Sequence, residues 1–88
     1  MTKPSYKYTL EFSEPALEAL RALQPDSRRQ IGHAMDGLQR NFSGDVKKLK
    51  GWQDRYRLRV GHFRVLFRLV KNNIEIYRIS DRKNAYEN

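Results

Sequence analysis

The chain has 88 residues, of which 39% are hydrophobic, with 18 Lys and Arg against 10 Asp and Glu and no cysteine. That composition supports one small domain with one core and excludes disulfides and thiolate chemistry. The formal net charge is +8, and it all lies in the second half: residues 1–45 carry six basic and six acidic side chains, residues 46–88 twelve and four.

A one-sided excess of this kind points to a polyanionic or very acidic partner. The alternative is a solvated, solubilising face, but here the cations alternate with aromatics on strands and form no helical stripe. No apolar run follows the first charges, and no segment approaches the ~20 apolar residues that span a bilayer. A cytoplasmic protein with no membrane partner is therefore expected.

Tyr6 to Phe12 reads as the first strand, with Tyr8, Leu10 and Phe12 alternating with Lys7, Thr9 and Glu11. Ser13-Glu14-Pro15 is a helix start, with a polar cap and a proline in the first turn, where its missing N–H costs nothing. The first helix runs to about Leu23 on Leu17, Leu20 and Leu23. Pro25 separates it from a second helix, for which Asp26 and Ser27 are candidate caps. Ile31, Ala34, Met35, Leu38 and Phe42 form its buried face. Gly32 and Gly37 each weaken that helix by ~1 kcal/mol relative to Ala, so it depends on packing or on a close neighbour at those glycines.

Asn41 to Asp54 reads as an irregular loop, with turn signals at Ser43-Gly44-Asp45 and Gly51 and with Lys47, Lys48 and Lys50 between them. Val46, Leu49 and Trp52 are expected to pin it to the core. A stacking platform for a base is the alternative for Trp52.

Arg55 to Arg68, R-Y-R-L-R-V-G-H-F-R-V-L-F-R, is a hairpin on a Gly61-His62 turn, and Gly at its first position suits type II′. Tyr56, Leu58, Val60, Phe63, Val65, Phe67 and Leu69 share one face, leaving Arg57, Arg59 and Arg64 on the other. Asn72-Asn73 is the next turn. The last strand, about Ile74 to Ser80, changes phase between Ile76 and Ile79, which a bulge near Tyr77 or two-sided burial explains. The order β-α-α-β-β-β implies an α+β domain covering the whole chain: a mainly antiparallel four-stranded sheet with a two-helix hairpin on one face.

The two histidines, His33 and His62, lack metal-ligand spacing and read as surface residues. No acidic pair or phosphate-cradling Gly loop stands out, and no cofactor or metal is expected. Arg, Lys and Tyr remain. Guanidiniums grip phosphate in a bidentate manner and stay charged. Around a scissile phosphodiester they stabilise the extra negative charge of the transition state. RNA supplies its own nucleophile, the 2′-hydroxyl.

The K-L-K-G-W-Q-D-R-Y-R-L-R-V segment, the H-F-R-V-L-F strand and the terminal I-S-D-R-K-N-A-Y, in this order of elements, resemble a RelE-type toxin of the RelE/ParE toxin–antitoxin superfamily. The resemblance covers nearly the whole chain. It implies a ribosome-dependent endoribonuclease that cuts mRNA and leaves a 2′,3′-cyclic phosphate. It also implies a cognate antitoxin that wraps the toxin, with operator DNA bound only through that antitoxin. By position, Arg57 and Arg59 would contact RNA phosphates and Arg64 would hold the scissile phosphate. Arg82 would stabilise the transition state or leaving group, and Tyr86 would stack on the substrate base. Lys47, Lys48 and Lys50 would lie along ribosomal RNA, with Arg55 and Lys83 extending the RNA-binding set.

Plain solvated charges are the alternative for Arg55 and Arg68, and Arg78 reads as an edge residue that snorkels. Two departures from the family pattern matter. Both basic positions of the strand after K-L-x-G are Arg, whose reference pKa of ~12.5 or above makes it a poor base; Tyr86, Lys83 or water are the options for proton transfer. Asp81 stands where many relatives carry His, and it either orients Arg82 by an ion pair or acts as a base. The alternatives to the nuclease are a ParE-like gyrase inhibitor on the same fold and a non-enzymatic nucleic-acid-binding module.

Overall fold

The central hairpin forms where the alternation places it. In a computed structural model, which describes residues 6–81, β3 (Arg55–Val60) and β4 (Phe63–Val70) pair antiparallel with Leu58 opposite Val65. Val60 faces Phe63 across the two-residue turn, where Gly61 takes φ 57°. A positive φ at the first turn residue and not at the second is the pattern of a type II′ turn.

β4 continues into β5 (Asn73–Asp81), and β1 (Thr9–Phe12) lies parallel beside β5. The turn into β5 falls on Lys71-Asn72, one residue earlier than expected. The positive φ belongs to Lys71, at 57°, and not to an asparagine.

The sheet has five strands in the order β1-β5-β4-β3-β2, one more than the sequence suggested. The extra strand is β2 (Asp45–Lys48), inside the segment read as loop, with Val46 opposite Leu58 and Lys47 opposite Arg57. Its four residues carry one apolar side chain, too little for a periodic signal. A short, lysine-bearing strand is also how proteins guard a sheet edge against unwanted pairing.

Of the two explanations for the phase change in the last strand, the bulge is the one present. Leu66 pairs with Arg78 and Phe67 with Ile76, leaving Tyr77 as the extra residue. It restores the phase, so Ile74, Ile76 and Ile79 are all buried on one side. Ser13 secures this point: its N–H donates to the Ile76 carbonyl (2.8 Å) and its hydroxyl to that of Tyr77 (3.3 Å). Ser13 Oγ also accepts from the Ala16 N–H, capping α1 (Glu14–Arg21).

α2 (Pro25–Asn41) begins one turn position earlier than expected. Pro25 is in its first turn and Gln24 is its N-cap, without a side-chain bond from Asp26 or Ser27. Arg28 reaches back to the Arg21 and Leu23 carbonyls (3.1 and 2.8 Å) and so caps α1 and joins the two helices. Ile31, Met35 and Leu38 are buried against Leu58, Val65, Phe67 and the β5 isoleucines. A Cβ at Gly37 would lie 3.0 Å from Ser43 Oγ, while the space at Gly32 is open, so the close neighbour exists at one glycine only.

Phe42 ends α2 in the left-handed conformation, φ 59° and ψ 32°. That costs a non-glycine residue roughly 1–2 kcal/mol. The ring recovers it as the hub of an aromatic cluster, 5.2 Å from Tyr8, 5.4 Å from Tyr56 and 5.8 Å from Phe67. Replacing Phe42 with Ala should cost about 3 kcal/mol of unfolding free energy in urea titrations. Phe42→Gly, which removes the same ring but also the backbone strain, should be about 1 kcal/mol less damaging than Ala.

Ahead of β1, Tyr6 fastens the chain to α2. Its hydroxyl donates to Asp36 at 2.6 Å, and Arg40 Nε donates to the same carboxylate at 2.8 Å. The Tyr6 bond first, then that from Arg40, hold the Asp36 carboxyl below its ordinary 3.8, and the Asp36 bond raises the Tyr6 phenol above its ordinary value. A depressed folded-state pKa stabilises above the unfolded value and is lost as pH falls through the folded one. The melting-temperature advantage of wild type over Asp36→Ala, present at pH 7, should therefore shrink below pH 3.8.

Candidate nucleic-acid interface

With the helices on one face of the sheet, the out-of-phase side chains of β2–β5 form the other. The register arranges them in rows. Asp45, Arg59, Arg64 and Ser80 follow one another across the strands; next come Lys47, Arg57, Leu66 and Arg78; then Arg55, Arg68 and Glu75. The arrangement brings together Arg57, Arg59 and Arg64, as the sequence predicted. It adds Arg78, which the sequence reading left at an edge. β5 is interior to the sheet, and the bulge turns Arg78 onto the arginine face. The change of phase in I-E-I-Y-R-I was the available signal.

These guanidiniums are crowded and loosely held. Arg57, with a side chain only 13% exposed, and Arg59 share the carboxylate of Asp45 at 3.9 Å each. Arg68 stands 3.5 Å from Asp54 and 3.8 Å from Glu75. At 3.8–3.9 Å these are ion pairs without hydrogen bonds. The Nε–H groups of Arg55, Arg57 and Arg68 are buried and donate no hydrogen bond. The face holds positive charge and hydrogen-bond donors that its own carboxylates only partly satisfy.

Lys47, Lys48 and Lys50 are exposed, and with Leu49 and Arg57 they line a recess of about 260 Å³ beside β2. Contrary to the expectation from sequence, Trp52 does not pin this segment to the core; it is 50% exposed. Its ring lies instead on the Arg55 guanidinium, 4.2 Å from the centroid, with Tyr77 on the same guanidinium at 5.1 Å. Neither Arg55 nor Arg68 is thus a plain solvated charge. Arg82, Lys83 and Tyr86 lie outside the described residues. The chain leaves β5 at Asp81, opposite Phe63 and next to Ser80, the partner of Arg64. Among the described residues no cluster of three or more His, Cys, Asp or Glu could hold a metal ion, and His33 and His62 are exposed.

A five-stranded sheet with a helical hairpin on one face and a cationic opposite face defines a class of small basic α+β proteins, and comparison with known proteins places the chain within it. Residues 10–86 match the family described as ParE toxin of the type II toxin–antitoxin system parDE. A relative named RelE1, from Methanocaldococcus jannaschii, is 32% identical over 93% of this chain and 98% of that protein. RelE from the archaeal RelE–RelB complex of Pyrococcus horikoshii superposes with a TM-score of 0.74 at 26% identity, covering 90% of this chain and 99% of that one. The isolated Escherichia coli RelE toxin shares the fold at a TM-score of 0.75 and 20% identity, over 89% and 87% of the two chains. The chain belongs to the RelE/ParE family of type II toxin–antitoxin toxins.

Because Asp45 occupies two guanidiniums that a phosphate would otherwise engage, Asp45→Asn should bind a single-stranded oligonucleotide several-fold more tightly. Glu18→Gln, the same charge change on an exposed position of α1, should have a smaller effect. Fluorescence anisotropy at fixed salt distinguishes the two.

Proposed function

We propose that this toxin is an endoribonuclease that cuts mRNA on the ribosome by attack of the 2′-hydroxyl on the adjacent phosphate. The observation that carries the reading is the pair Arg57 and Arg59, held by one carboxylate at 3.9 Å and set beside Arg64 by the strand register. Phosphate oxygens can replace that carboxylate and accept the hydrogen bonds it does not take. As the 2′-oxygen bonds to phosphorus, charge builds on the non-bridging oxygens, and Arg64 with Arg57 or Arg59 stabilises it. The 5′-oxygen then leaves and takes up a proton, while the 2′,3′-cyclic phosphate remains.

Arginine stays protonated through this sequence. The 2′-hydroxyl proton is therefore assigned to Tyr86, Lys83 or water, with Arg82 at the leaving group and Asp81 orienting it. Lys47, Lys48 and Lys50 supply the sequence-independent electrostatic attraction to ribosomal RNA. A site that offers charge and alignment but no strong base suits a reaction whose substrate is positioned by a larger machine. The regulatory partner is a cognate antitoxin, supported by RelE–RelB complexes among the structural neighbours, with operator DNA bound through it. Action on mRNA places the protein in the cytoplasm.

A second reading has one observation in its favour, the description of the matching family as ParE toxin. On that reading the toxin inhibits DNA gyrase by protein binding and has no nuclease chemistry. Mapping mRNA 5′ ends and DNA breaks after induction separates them. Cuts within codons on ribosome-bound mRNA support the nuclease, and gyrase-linked double-strand breaks support the inhibitor.

In the same assay Arg64→Ala should lower the cleavage rate by about 10²–10³-fold and relieve growth inhibition, with its circular dichroism unchanged. A fully toxic Arg64→Ala protein would falsify the assignment.

A further inference from the structure

We infer that Trp52, held by Arg55 and Tyr77, is a base-stacking platform that grips a nucleotide flanking the cut; the inference rests on the nuclease reading. Trp52 is the protein's single tryptophan and the largest exposed apolar side chain among the described residues, 50% exposed in a chain whose other large hydrophobics mostly join the core. Half of the ring is open to solvent and it is not part of the buried core cluster, yet its position is set. One face lies on the Arg55 guanidinium at 4.2 Å, and Tyr77 steadies that guanidinium at 5.1 Å. Cation–π contact orients an indole while leaving half of it to solvent.

The surroundings fit single-stranded RNA. Trp52 follows Lys50 by two residues, and Lys47, Lys48, Lys50 and Arg57 line the adjacent recess. Single-stranded nucleic acid is bound by this combination, a cationic track for the backbone and an aromatic plane for a base, and the plane accepts any base because each has a π-face.

Position along the strand says which base. Arg55 and Arg59 are on the same face of β3, four residues apart, or about 13 Å at the usual rise. The Trp52 plane therefore lies a nucleotide or more from the Arg59–Arg64 end of the face, where the phosphate is cut. It holds the strand in register, as a positioning residue, and does no chemistry.

The test is single-turnover cleavage of mRNA on programmed ribosomes by the full chain, using wild type, Trp52→Ala, Trp52→Phe and Arg64→Ala. Each is tried on intact mRNA and on mRNA with one abasic ribonucleotide at successive positions flanking the cut. Trp52→Ala should cut intact mRNA about tenfold more slowly, while Trp52→Phe keeps most of the rate. At one flanking position the missing base should slow wild type by a similar factor and leave Trp52→Ala little changed, the non-additivity that direct contact produces. If every abasic substitution slows wild type and Trp52→Ala alike, or if Trp52→Ala cuts at the wild-type rate, the platform is overturned while the nuclease reading stands. If wild type does not cut ribosome-bound mRNA at all, or cuts no faster than Arg64→Ala, the nuclease reading falls and the platform with it.

Discussion

Arg59 lies directly opposite Arg64, and Arg55 directly opposite Arg68, across the β3–β4 hairpin. Like charges facing each other in an antiparallel pair are destabilising, and here they recur on the strands that form the centre of the domain. The rest of the structure answers this repulsion. On the reverse side of the same residues Leu58, Val65 and Phe67 are fully buried, and α2 closes over them with Ile31, Met35 and Leu38. On the near side Asp45, Asp54 and Glu75 stand close enough to offset charge. The two faces of the hairpin cannot be exchanged, because a slip of one residue would drive the guanidiniums into the core. The alternation that makes the cationic face also fixes the fold.

That alternation is why so much was legible from the residues. A period of two running through both arms of the hairpin, broken at Gly61-His62, gives the strands, the turn and the face that each side chain takes. Even the bulge was one of two readings the residues allowed, because Ile76 and Ile79 cannot both be buried on one face of a regular strand. What escaped had a weak or absent period. β2 has Val46 as its one apolar residue, and its pairing is decided by β3 next to it, not by its own sequence. Lys71 adopts a left-handed turn conformation that its neighbours Asn72 and Asn73 would accept more readily, since turn position follows from strand register. Trp52 misled for a different reason. Hydrophobic size predicts burial on average, but the indole is held by a cation three residues away, a contact that no local pattern announces.

The candidate site was legible to the same degree and for the same cause. Arg57, Arg59 and Arg64 could be grouped because strand phase and turn length together determine which residues face each other. Arg78 joins them only through the bulge, so grouping it required knowing both that a bulge exists and which residue it expels. The sandwich of Trp52, Arg55 and Tyr77 joins a loop, β3 and the bulged residue of β5. Trp52 and Arg55 are neighbours in sequence, but the bulged residue of β5 is remote from both, so strand pairing must be in place before the cluster exists.

The ion pairs themselves carry the last step. A carboxylate at 3.9 Å from two guanidiniums offsets charge without occupying the directed donors of either. Shorter, bidentate pairs would have stabilised the free protein more and would have had to be broken before phosphate could bind. The looser arrangement keeps the arginines in place at low cost to any incoming anion. It also leaves the free protein with part of the repulsion, which a bound polyanion would reduce, so ligand binding and folding stability are coupled through the same side chains. Asp45 sits at the sheet edge on a four-residue strand, where a turn of its side chain would free both arginines together and leave the hairpin behind them unchanged.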